Sequence, residues 1–126
     1  MKTMLGIDYG LKHIGLAYAD GPLARPLITL PNDATLFPKL KQIALDVRAQ
    51  ELVIGIPEGR LENVVIKFAE EVKLALGLPV HLHEETLTTK TALANLREIG
   101  AKRKKLANDH IYSACLILED YLDLNK

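Results

Sequence analysis

Apolar and polar positions alternate between two rhythms along this chain, and the switch between them falls near residue 33. Before it come three short apolar runs, at residues 3–7, 14–18 and 27–30, each of strand length. Tyr9-Gly10-Leu11-Lys12-His13 separates the first two as a turn whose glycine permits a positive φ. Runs this close together predict an antiparallel hairpin. Asp20-Gly21-Pro22 and Pro31-Asn32-Asp33 supply the next two turns. Beyond Asp33, Leu36, Leu40, Ile43, Ala44 and Val47 recur at three and four residues, which is a helical stripe. The continuous apolar run 52–56 follows, as expected of a buried parallel strand. Val64, Val65, Phe68, Val72, Leu74 and Ala75 predict a second helix, closed by Gly77. A fifth strand is expected at 79–83 and a helix at 88–99, with Thr88 as its N-cap and Gly100 at its end. Residues 101–105 read as a polar basic connector, and Asn108 as the cap of a final helix reaching about Leu122. The order β-β-β-α-β-α-β-α-α implies an α/β fold in which a mixed sheet carries helices on both faces, in one domain over 1–126.

Composition narrows the function. Sixteen basic residues balance sixteen acidic ones, so no global positive field draws in polyanions, although a local patch still can. The single cysteine, Cys115, excludes an intrachain disulfide and a Cys/His zinc site, and its apolar neighbours mark it as a small core residue. No apolar run approaches the roughly 20 residues of a membrane span. Asp8 interrupts any leader-like apolar stretch near the start, so a cytoplasmic protein is expected.

The candidate chemistry lies at strand ends and helix starts. Gly6-Ile7-Asp8-Tyr9-Gly10 sets a carboxylate directly after the first strand, where open α/β sheets place their ligands. Glu84 and Glu85 follow the fifth strand, and Asp109 opens the last helix. Each has an ordinary alternative as a turn or first-turn acid. Taken together, three carboxylates at one edge of a sheet suit a hard cation such as Mg²⁺ or Mn²⁺. Two such ions about 4 Å apart would activate water and stabilise the leaving oxygen of a phosphodiester. Lys102, Arg103, Lys104 and Lys105 form the densest basic run, either a solvated connector or a phosphate-binding patch.

These segments, in order, resemble the YqgF/RuvX family of Holliday-junction-resolvase-like proteins and pre-16S rRNA nucleases, within the RNase H-like superfamily. The opening signature lies in Gly6-Ile7-Asp8-Tyr9-Gly10 with Lys12, Ile14-Gly15, Ala17 and Asp20. Val53-Ile54-Gly55-Ile56-Pro57 resembles the strand-four motif, and Glu84-Glu85-Thr86-Leu87-Thr88-Thr89 the family's Asp-Glu-Arg-Leu-Thr-Thr. Asp109 through Leu118, then Tyr121-Leu122, resembles the closing helix. The resemblance implies an RNase H-like fold with strand order 3-2-1-4-5. It also implies a metal-dependent nuclease acting on structured RNA or branched DNA, with Asp8, Glu85 and Asp109 as its catalytic, metal-holding acids. Thr86 stands where the family has arginine, which leaves Lys12 or Arg60 to contact phosphate in its place. Glu84 and Glu58 are the local competitors of Glu85. Two readings of another class remain at this stage, a non-catalytic nucleic-acid-binding module and an actin-like phosphate binder. The second needs a two-domain cleft for which the chain is short.

Overall fold

The computed structural model describes residues 2–57, 59–84 and 102–125, with the backbone alone for 102–109. Its strands are β1 (Met4–Asp8), β2 (His13–Ala19), β3 (Arg25–Pro31), β4 (Glu51–Ile56) and β5 (Val80–Glu84). Its helices are α1 (Leu36–Asp46), α2 (Glu62–Leu76) and α3 (Lys102–Leu124). The expected helix at 88–99, with Thr88 and Gly100 at its ends, lies outside the described residues.

The five strands form one sheet in the order β3-β2-β1-β4-β5. β1 pairs antiparallel with β2, and β2 with β3, whereas β1–β4 and β4–β5 are parallel. The mixed sheet, the hairpin and the 3-2-1-4-5 order all match expectation.

Strand alternation divides the interior in two. Leu5, Ile7, Ile14, Leu16, Leu52 and Ile54 face one way and are covered by Leu36, Leu40 and Ala44 of α1 and Val65, Phe68, Ala69 and Val72 of α2. Met4, Ala19 and Val53 face the other way, against Ile117 and Leu118 of α3. Complete burial of each such Leu or Ile contributes about 1.5–3 kcal/mol. On the α3 side β1 and β2 also present the small residues Gly6, Gly15, Ala17 and Ala19. A Cβ on Gly6 would lie 3.0 Å from the Ala114 carbonyl oxygen and 3.0 Å from Leu118 Cβ, so the helix backbone rides close to the sheet. His110 packs beside Gly10 and Gly15, and Leu118 beside Gly6. The helix therefore runs antiparallel to β1, with His110 over the carboxyl end of β1 and the start of β2.

Two expectations are corrected. Residues 102–105 are the opening of α3 and not a connector, and Asn108 lies inside that helix and does not cap it. Lysine, arginine, leucine and alanine are good helix formers, and no glycine or proline separates Lys102 from Asn108. A charged composition marks solvation, not backbone shape. Gly10, for its part, does not have a positive φ, a state that Gly59 and Gly77 adopt among the glycines. What Gly10 supplies is space, since a Cβ there would lie 2.7 Å from His110 Cε1. Gly77 does close α2 in the left-handed conformation, at φ 68°.

Candidate active site

The site begins with Asp8, the last residue of β1, which is only 3% exposed and is the one buried polar or charged residue among those described. Its place follows from alternation. Leu5 and Ile7 are drawn into the α1–α2 core, so Asp8 must point to the α3 side. Across the sheet, Asp8 pairs with Gly15 of β2. On its other flank, one step past the Ile7–Ile54 pair, comes Gly55, which pairs with His83 of β5. The row is thus Gly15, Asp8, Gly55, His83, and a carboxylate stands between two residues without side chains.

The described partner of this carboxylate is His110. Its Nδ1 lies 2.6 Å from Asp8 Oδ2, and the His110 side chain is 39% exposed. For an ionised Asp8 to accept, Nδ1 must carry the proton. Gly15 makes the approach possible, because any Cβ there would collide with the His110 backbone carbonyl. On the far side, Asn32 donates from Nδ2 to the Gly10 carbonyl at 2.9 Å, and its backbone N–H donates to the Lys12 carbonyl at 2.9 Å. These bonds tie the β1–β2 turn to the end of β3.

Two further histidine–carboxylate pairs lie on the α3 side of the sheet. His83 Nε2 lies 2.6 Å from Asp120 Oδ2, so β5 is joined to α3 well beyond His110. His81 Nε2 lies 2.6 Å from Glu51 Oε1, and Lys2 reaches the other oxygen of that carboxylate. Lys2 first, then His81, hold the Glu51 carboxyl below its ordinary pKa. Cys115 is a free, half-buried thiol on α3. Burial, with help from the charge of Glu119, pushes its thiol up to about 11, far from the reactive thiolate range.

The sequence-derived candidates fall as follows. Lys12 is exposed in the β1–β2 turn, directly beyond Asp8. Arg60 is exposed in the turn between β4 and α2, at the same end of the sheet. Lys102, Arg103, Lys104 and Lys105 occupy the first turns of α3, and Lys102 lies about 12 Å along the axis from His110 at 1.5 Å per residue. Asp109 is on α3 immediately before His110, and its side chain is outside the described residues, as are Glu85, Thr86 and Glu58. Glu84 ends β5 one residue after His83, so alternation points it to the opposite face from Asp8. Among the described residues, no three His, Cys, Asp or Glu side chains gather as a metal cluster. No helix among them is long and apolar enough to cross a membrane. Sequence reasoning misses His110 and the role of His83. The only local marks are an imidazole directly after a candidate acid and the alternation Val80-His81-Leu82-His83.

The profile of the Holliday junction resolvase family, RuvX, matches residues 2–124. The chain belongs to that family. A Rickettsia canadensis (strain McKiel) protein named "Putative pre-16S rRNA nuclease" is 37% identical over 134 residues, spanning 98% of this chain and 87% of its own length. A protein of the same name from Rickettsia typhi (strain ATCC VR-144 / Wilmington) is 37% identical over 136 residues, spanning 99% and 87%. Among solved structures, T. thermophilus RuvC in complex with Holliday junction substrate superposes with a TM-score of 0.65 at 15% identity, covering 100% of this chain and 98% of that one. Thermus thermophilus RuvC by itself gives 0.58 at 15% identity, with 98% and 96% covered. That likeness concerns the fold. This RuvX chain therefore has the RNase H-like architecture and belongs to a family of nucleases.

Proposed function

We propose that this RuvX protein is a divalent-metal-dependent nuclease that hydrolyses phosphodiester bonds of structured nucleic acid. Its proposed task is maturation of the 5′ end of pre-16S rRNA in the cytoplasm. Asp8, Glu85 and Asp109 are the acids assigned to Mg²⁺ or Mn²⁺. The observation that carries the reading is Asp8 itself, a carboxylate buried at the end of β1 beneath the helix that bears Asp109.

The residues fit a hard cation. A carboxylate removed from water requires compensation by positive charge or hydrogen bonds. The described partner of Asp8 is an imidazole and not a permanently charged lysine or arginine. An oxygen donor there, with further carboxylates from the neighbouring elements, is a donor set for Mg²⁺ or Mn²⁺ rather than for a soft ion. The bound cation would lower the pKa of a water and neutralise charge on the phosphate. The chain's own part is to hold and orient. Asp8 anchors the site to the rigid sheet. Lys12 and Arg60, at the same end, draw in the phosphate backbone, as do Lys102 to Lys105 from the start of α3. Hydrolysis then adds water across one P–O bond and leaves a phosphate and a hydroxyl.

The deciding assay presents purified protein and Mn²⁺ or Mg²⁺ with precursor 16S rRNA and with a four-way DNA junction. Metal-dependent cutting of the RNA is expected, and Asp8→Asn, a near-isosteric change, should abolish it with the fold intact. Full activity in a clean Asp8→Asn preparation would sink the assignment. A second reading, a junction-resolving DNA endonuclease, is favoured by the family description itself. Faster cutting of the junction than of the RNA would select it.

A further inference from the structure

We infer that His110 is a positioning residue for Asp8, fixing which carboxylate oxygen is presented to the cation. The inference rests on the reading of Asp8 as a metal-holding acid.

Three observations carry it. The bond is short, with Nδ1 2.6 Å from Oδ2, and it joins the sheet to the helix packed on it across 102 residues of sequence. The acid is almost fully buried, so its orientation is decided by protein contacts and not by solvent. The imidazole is itself confined. It lies over Gly10, where a Cβ would fall 2.7 Å from Cε1 and 2.8 Å from Nε2, and its own backbone is pressed against Gly15. The contact with Gly10 and the bond to Oδ2 together set the direction of its N–H, while the rest of the ring meets solvent. Preorganising a ligand through a locked neighbour avoids ordering it at the moment of binding.

The geometry also separates positioning from ligation. The nitrogen nearest the acid is already engaged by Oδ2, and the second nitrogen lies over the β1–β2 turn at Gly10. His110 therefore acts through Asp8. Partners that orient metal-holding groups in this way are worth about 10–100-fold in metal affinity.

The test compares Mn²⁺ binding, followed by electron paramagnetic resonance, in the wild-type protein, His110→Ala and His110→Asn. Asparagine carries an amide nitrogen where the imidazole has Nδ1 and so preserves the donor. Binding should weaken about 10–100-fold in His110→Ala and recover most of that loss in His110→Asn. Thermal melting of both variants reports whether the fold persists. Spin-echo spectra of the wild-type Mn²⁺ complex should show no directly coordinated imidazole nitrogen. Wild-type affinity in His110→Ala overturns the inference, as does equal weakness in the two variants. A coordinated nitrogen in the wild-type spectrum overturns it without any variant. If the wild-type protein binds no Mn²⁺, the nuclease reading fails and this inference falls with it.

Discussion

Glycine is used at single positions here to bring a helix within reach of an acid. Gly15 is the strictest case, because any side chain would meet the His110 carbonyl, an atom fixed in the helix backbone. Gly15→Ala must lift α3 or bend β2. The expected loss is about 1–3 kcal/mol, the usual cost of an overpacked core. Urea unfolding followed by circular dichroism measures it, and an unchanged midpoint would show that the helix yields freely. At this scale the sequence is partly legible. Asp8 stands out as an acid at the end of an apolar strand between glycines. His110 does not, because its partner is 102 residues away and so distant a pairing leaves no periodic trace. Gly10 is conspicuous, but a sequence does not distinguish a glycine needed for φ from one needed for space.

At the scale of elements, periodicity locates β1 to β5, α1 and α2 with boundaries within about two residues, as apolar spacing allows. The start of α3 escapes it because the charge of Lys102 to Lys105 masks their helical preference. The end of α1 shows a feature that composition also hides. Arg48 has φ 59°, in the left-handed region, and its N–H donates to the Leu45 carbonyl at 3.1 Å while that of Ala49 donates to Ala44 at 2.9 Å. That is a helix-ending turn of the type glycine favours, occupied by a residue with a Cβ. Arg48→Gly should therefore raise stability by about 0.5–1 kcal/mol, the relief of left-handed strain exceeding the entropy glycine adds to the unfolded chain. Differential scanning calorimetry would register a higher melting temperature, and a lower one would mean that the arginine side chain stabilises this corner in some other way.

For the whole molecule, the layering is foreseeable from strands that alternate and helices with one apolar stripe, whereas strand order comes from the resemblance, since periodicity does not say which strands are neighbours. The zero net charge makes any attraction of nucleic acid local. Lys104 and Lys105 stand on the opening turns of a long helix, N-terminal to the turn that lies over Asp8. Lys104→Ala combined with Lys105→Ala is expected to weaken binding to RNA and DNA alike. If each lysine neutralises one phosphate, the slope of log affinity against log salt should shrink by about 0.7 to 0.9 for each. Fluorescence anisotropy across a salt series reads that slope, and an unaltered value would reject the patch. The antiparallel course of α3 has a consequence in time. The strand that ends in Asp8 emerges from the ribosome about a hundred residues ahead of the helix that covers it. Until that helix docks, the acid has neither its imidazole nor the turn that bears Asp109, so a chain that stops short of residue 102 lacks two parts of the proposed site.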